Sequence, residues 1–195
     1  MRILRQASDQ TSPAAIYQRK DICEDPFLRG KVQHQERIPT EKEKMTIIGI
    51  DPGKNGGIAW IADGKPCVEK MPETAADLWE LIGDILGPIG WAVQSNGLMF
   101  TAYVEQVHSS PQMGVKSAFT FGQGFGQLEM ALTAAGIPFH RVRPQAWQKS
   151  LGCLTGGDKN VSKRRAQELF PSLKVTHATA DALLIAEYGR RQTTP

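Results

Sequence analysis

The stretch TIIGIDPGKNGGIAWI, running from Thr46 to Ile61, sets the frame for the whole chain. Ile47, Ile48 and Ile50 are β-branched and apolar, which suits a buried strand, and Pro52-Gly53 breaks that strand directly after Asp51. A carboxylate at the C-terminal end of a central strand is costly to dehydrate unless a donor or a positive group meets it. Three partners are open at this point. The turn can supply hydrogen bonds, a metal ion can bind, or the glycine-rich backbone after Asp51 can grip a phosphate.

Working outward, the Gly56-Gly57 turn leads into a second strand over 57–62, and a short third over 66–71 completes an antiparallel meander. In TAADLWELIGDIL the apolar Leu78, Leu81, Ile82 and Ile85 fall at helical spacing, with Thr74 placed to cap the helix. TAYVE, 101–105, reads as a strand that again ends in an acid, Glu105. A long helix is expected from Val115 to Ala135, closed by Gly136, and IPFHRVR supplies a fifth strand. Pro144 opens a short helix through Leu151, and NVSKRRAQELF and ATADALLIAEYGRR give two more. The expected fold is α/β: a mixed five-stranded sheet, three antiparallel strands and then parallel ones, flanked by helices.

Residues 1–44 are polar and of mixed charge without a sustained period, which reads as a flexible N-terminal extension before a folded domain over 45–195. Met45, directly before the first strand, is an alternative start. Asp21, Glu24, Asp25 and Glu36 argue against a transit peptide, since such peptides avoid acids. With 195 residues, 41% of them hydrophobic and 22% charged, the chain has the composition of an ordinary soluble globular protein. Its net charge of +3 points weakly to any partner, but Phe139 to Val175 carries eight Lys and Arg against two acids, a density that suits a polyanion. Cys23, Cys67 and Cys153 lack metal-type spacing, so reduced thiols in the cytoplasm are expected. No run approaches the roughly 20 apolar residues of a membrane span, and none is expected.

The chemistry converges on the acids. Asp51 and Glu105 each end a strand, and if those strands are neighbours the two carboxylates lie side by side. Like charges that close repel unless cations bridge them, and oxygen-rich sites of this kind select Mg²⁺ or Mn²⁺. In the last helix, His177 and Asp181 are four residues apart and share a face if the helix begins early enough to include His177. Taken singly, each has a plainer explanation: Asp51 forms a turn, Glu105 ends a strand, His177 is a surface histidine, and Asp181 favours a helix N-terminus. Together they arrive at element ends in an order that a metal site requires.

In its ordered motifs the chain resembles the RuvC-type Holliday junction resolvases of the RNase H-like, retroviral-integrase superfamily, in their phage-like and chloroplast-resolvase-like branch. The match is carried by IIGIDPGKNGGIA, VEQVHSSPQMGVKSAFTFGQGFGQLE, RVRPQAWQKSLG and HATADALLIAEYGRR, which span Ile47 to Arg191. The resemblance implies a structure-selective DNA endonuclease that resolves four-way junctions by paired symmetric nicks. It would use two Mg²⁺ ions per active site, with Mn²⁺ able to substitute. Asp51 would bridge both ions, with Glu105 on one and Asp181 and His177 on the other. Bacterial members place a ligand three residues before the last aspartate; here that residue is Ala178, and His177, one position earlier, takes its place.

Other segments fit a DNA partner. SSPQMGVKSAF puts small and polar groups at a helix start, where free backbone N–H groups hold phosphate. By resemblance, Gln112, Gly114, Lys116 and Ser117 face the junction centre. Lys159, Lys163 and Arg164 are placed to meet backbone phosphates, or else form a solvated helix face. Gly122 and Gly126 lie on one side of the long helix, which calls for close approach by another element: either this chain's own sheet or, as the resemblance favours, a second copy in a C2 homodimer. Trp147 reads as core. The alternatives are a nuclease of RNA or RNA–DNA hybrid, an inactive junction-binding protein, and a sugar-kinase or actin-like ATPase. The last needs two such domains, leaving no nucleotide cofactor expected here.

Overall fold

The computed structural model describes residues 45–90, 99–108, 112–154, 156 and 158–193. The expected N-terminal extension, Ser109 and Ser110 lie outside them. Five strands and five helices follow in order: β1 (Met45–Asp51), β2 (Gly57–Ala62), β3 (Lys65–Lys70), α1 (Ala75–Gly90), β4 (Met99–Glu105), α2 (Val115–Ala134), β5 (Phe139–Val142), α3 (Pro144–Ser150), α4 (Lys159–Leu169) and α5 (His177–Thr193). The strand order is β3-β2-β1-β4-β5. β1 pairs antiparallel with β2 and parallel with β4, β2 pairs antiparallel with β3, and β4 pairs parallel with β5. This is the expected mixed sheet, with an RNase H-like order.

Alternation along the strands divides the interior into two cores. Ile48, Ile50, Ile58, Ala102 and Val104 pack under α1 and α2 with Leu78, Ile82, Leu128 and Leu132. Ile47, Ala59, Tyr103 and Val142 pack on the other face under Trp147, Ala166 and the apolar side of α5. Because Asp51 and Glu105 share the parity of Ile47 and Tyr103, both acids fall on the α5 face. That placement follows from the pleat alone.

Local chemistry sets the element ends. Thr74 Oγ1 accepts the Asp77 N–H at 3.1 Å and donates to the Asp77 carboxylate at 2.8 Å, a reciprocal cap that starts α1. Pro144 occupies the first turn of α3, where its missing N–H costs nothing, and Asp158 caps α4 by accepting the Asn160 N–H at 2.9 Å. The expected boundaries differ by one or two residues at β1, β3, β4 and β5. These are sheet ends, where pairing partners decide the length. No helix among the described residues is long and apolar enough to cross a membrane.

Helix α5 lies directly on β1. A methyl group added at Gly49 would overlap the backbone of Ala182 and Ala186, and one at Gly189 would overlap the Tyr103 ring. The reverse holds on α2. Gly122 and Gly126 would meet no atom within 4 Å, so the close approach expected there is not made by this chain's own sheet. Of the helix's residues only Leu128 and Leu132 are buried. Phe119 and Val115, on the same helical side as the two glycines, are 74% and 88% exposed.

The Gly49 contact predicts a measurable cost. Gly49→Ala should destabilise the chain by about 3 kcal/mol, the upper part of the usual range for overpacking, because helix and strand backbones cannot both give way. Denaturant unfolding followed by circular dichroism reads this directly. A loss under about 0.5 kcal/mol, typical of harmless surface changes, would show that α5 rides higher on the sheet.

Candidate active site

The parallel β1–β4 register pairs Ile50 with Val104, so Asp51 and Glu105 are the next residues on adjacent strands. The turn after Asp51 folds back on it. The Gly53 N–H donates to Asp51 Oδ1 at 3.1 Å, and Gly56 N–H closes the loop onto the Gly53 carbonyl at 2.8 Å. Gly56 sits so close that a methyl group there would overlap the Asp51 backbone and carboxyl carbon. Pro52-Gly53 thus ends the strand and holds one carboxylate oxygen.

Asp181 arrives from the other side, in the second turn of α5. The helix start is fixed by Thr179, whose Oγ1 accepts the Thr176 N–H at 3.1 Å. His177 is the first residue of α5, exposed, and its charge reaches Asp181. Helices α3 and α4 close the site. Trp147, with no exposed surface, donates its indole N–H to Glu105 Oε1 at 3.0 Å. Lys159, at the first turn of α4, acts electrostatically on both Asp51 and Asp181.

All three acids titrate above their ordinary range. Burial is the largest cause for Asp51, opposed by the Gly53 hydrogen bond, raised further by repulsion from Asp181 and relieved by Lys159. Glu105 is pushed from 4.5 up to about 7, first by burial, then by the Asp51 charge; the Trp147 hydrogen bond opposes this and Asp181 adds to it. Asp181 is raised by burial against the lowering influence of the Ser162 hydroxyl, Lys159 and His177. The Ser162 hydroxyl lies near Asp181, yet neither Ser162 Oγ nor Asp181 Oδ1, both buried, makes a hydrogen bond of good geometry.

The three carboxylates therefore feel one another's charge and lack enough positive charge to balance it. Among the described residues no three His, Cys, Asp or Glu already close into a metal cage. The donor chemistry nevertheless fits a hard divalent cation: carboxylate oxygens from three elements, an orphaned buried oxygen on Asp181, and mutual repulsion that a cation would relieve.

The remaining expected site residues are exposed or half-buried. Lys163 and Arg164 continue α4 beyond Lys159, whereas Gln112, Gly114, Lys116 and Ser117 are exposed at and before the start of α2, the helix on the opposite face. The structure brings Asp51, Glu105, Asp181, His177 and Lys159 together and does not add the α2 residues to them. Trp147 and Ser162 are neighbours of the acids that sequence reasoning did not find. The one signal available was the Lys159–Ser162 spacing, which puts both on one side of α4.

No family model matches the chain, and no curated protein matches it. Solved structures do. Thermus thermophilus RuvC in complex with a Holliday junction substrate aligns over 77% of this chain and 97% of that one, with 21% identity and a TM-score of 0.51. A second Thermus thermophilus RuvC structure aligns over 77% of this chain and 98% of that one, with 21% identity and a TM-score of 0.52. The fold is RuvC-like, within the RNase H-like architecture.

The raised Glu105 sets a pH dependence for the cation-free protein. A folded-state value above the unfolded one means that the native state binds the extra proton, so stability falls as pH rises from about 4.5 to about 7. Glu105→Gln should flatten that slope and stabilise the cation-free protein at pH 8, as read from melting temperatures across the window. An unchanged slope would place Glu105 in contact with water.

Proposed function

We propose that this chain is a divalent-cation-dependent, structure-selective DNA endonuclease that resolves four-way junctions by paired symmetric nicks. The observation that carries the reading is the gathering of Asp51, Glu105 and Asp181, mutually repelling and partly dehydrated, at one sheet edge of a RuvC-like fold. One of the similar proteins is solved with a Holliday junction substrate, which supports branched DNA as the ligand class.

Asp51, Glu105 and Asp181, with His177 beside the last, are the residues that would hold Mg²⁺. Bound there, the cations would supply Lewis-acid activation of the attacking water and of the departing 3′ oxygen. The chain's own groups do the rest. The turn from Pro52 to Gly56 keeps the Asp51 carboxylate aimed, and α3 and α4 limit solvent around Glu105 and Asp181. Lys159, exposed beside two of the acids, is placed to attract a phosphate to the same spot. Lys163 and Arg164 extend that positive line for the DNA backbone, positioning it without reading sequence. Gln112, Gly114, Lys116 and Ser117, at the start of α2, are assigned to the junction centre.

Two coordinated cuts need two sites, and α2 offers a surface for pairing. Val115, Phe119, Gly122, Gly126 and Met130 fall on one helical side, apolar and open, so a second copy can approach closely at the glycines. The proposal is a C2 homodimer across this side.

Synthetic four-way junctions, duplex, flaps and RNA–DNA hybrid, each offered with Mg²⁺, test the activity. Symmetric nicks on the junction are expected. Asp51→Asn should lower cleavage by more than about 100-fold, beyond the loss usual for outer-shell partners, while junction binding persists. Preferential hybrid cleavage would redirect the reading to RNA, and binding without cleavage in Mg²⁺ or Mn²⁺ would make the chain a junction-binding protein. The dimer has its own test. Phe119→Glu should give a monomer by light scattering that nicks one strand without its symmetric partner; an unaltered mass would remove α2 from the interface.

A further inference from the structure

Each of the three acids meets one neutral donor on its inner side, and the three donors come from three different places. For Asp51 it is the Gly53 N–H in its own turn. For Glu105 it is the indole N–H of Trp147, 42 residues further along the chain, at 3.0 Å from Oε1. For Asp181 it is the hydroxyl of Ser162, a residue only 2% exposed that acts on the Asp181 carboxylate; Ser162 Oγ and Asp181 Oδ1 are both buried without a hydrogen-bond partner. A buried hydroxyl and a buried carboxylate oxygen on facing helices are a matched donor and acceptor, and leaving both unmade is expensive.

We propose that Trp147 and Ser162 are positioning residues: by tethering the core-facing oxygens of Glu105 and Asp181, they aim the opposite oxygens at a shared divalent cation. The inference rests on the nuclease reading for the cation itself. Neutral donors suit the task because they fix an oxygen without neutralising it. A charged partner at either position would compete with the cation for the same carboxylate. The packing explains why these two residues can do it. Trp147 is wholly buried on α3, so its ring has one orientation, and Ser162 is one turn beyond Lys159 on α4, on the side that meets α5. In the loaded site the Ser162 hydroxyl would donate to Asp181 Oδ1, which satisfies both buried atoms.

The test measures cation binding on the full chain without DNA, by electron paramagnetic resonance of free Mn²⁺, for wild type, Trp147→Phe, Ser162→Ala and Asp51→Asn. Trp147→Phe keeps an aromatic ring and removes the donor; Ser162→Ala keeps the small volume and removes the hydroxyl. Both should weaken Mn²⁺ binding by about 10- to 100-fold, the range for outer-shell partners of metal ligands. Junction affinity measured without metal should stay at the wild-type level. A merely structural role would lower the melting temperature and leave Mn²⁺ affinity unchanged in the folded protein, and that result overturns the proposal. Should Trp147→Phe fail to fold, Ser162→Ala decides alone. If wild type and Asp51→Asn bind Mn²⁺ equally poorly, the nuclease reading falls and this inference with it. If Asp51→Asn alone loses binding, only this inference falls.

Discussion

The contact on which the rest of this structure depends is the one between Gly49 on β1 and the backbone of α5 at Ala182 and Ala186. Only a residue without a side chain admits the helix so close. Small residues on the facing side of the helix then let Leu183, Leu184 and Ile185 fill the space around it, each fully buried. Burying each of these contributes about 1.5–3 kcal/mol, so the helix is pinned where it lies. That position carries Asp181 to the end of β1. A helix one residue-width higher would leave Asp181 in water, with an ordinary carboxylate's behaviour and no charge partners.

Given that placement, the electrostatics are forced. Two strand ends and one helix turn deliver three acids to a partly dry corner, where Lys159 acts on Asp51 and Asp181 and His177 acts on Asp181. Contrast Glu187 on the same helix, 4% exposed, which takes both Arg190 and Arg191 at 2.7 and 2.8 Å and titrates low. The chain can neutralise a buried acid when position allows, with two guanidiniums for one carboxylate. At the sheet edge the hydrogen-bonding groups set against the acids, beside Lys159 and His177, are an indole, a hydroxyl and a backbone amide, none of them charged. The deficit of positive charge there is local, and arginines are plentiful two turns away.

Much of this was legible in the sequence because it depends on local rules. The isoleucines of β1, the Pro52-Gly53 break, the Gly56-Gly57 turn and the small-residue face of α5 each signal their structure within a dozen residues. Strand parity then places Asp51 and Glu105 on one face. What was not legible depends on how distant elements meet. Trp147 reads as core from composition and is core, yet its indole N–H finds Glu105 only because α3 follows β5 and β5 pairs with β4. Ser162 is unremarkable until α4 packs against α5. The glycines of α2 signalled close approach, and sequence carries no mark of whether the neighbour belongs to the same chain. The structure answers half of that: the space beside them is open.

The two residues that flank Asp181 one turn earlier, His177 and Ala178, are set by the same geometry. On a helix, residues three and four before Asp181 fall on either side of it, about 60° one way and about 40° the other at 100° per residue. A side chain at one position or the other therefore approaches Asp181 from opposite flanks, at a similar reach. What changes is the neighbour. A methyl group at Gly57 would overlap the Ala178 carbonyl, so the backbone of the first turn of α5 lies against β2, and Ala178 is half-buried. His177, the first residue of α5, stands clear in solvent with its charge still reaching Asp181. Of these two flanking positions, the close seating of α5 leaves His177 exposed and Ala178 half-buried.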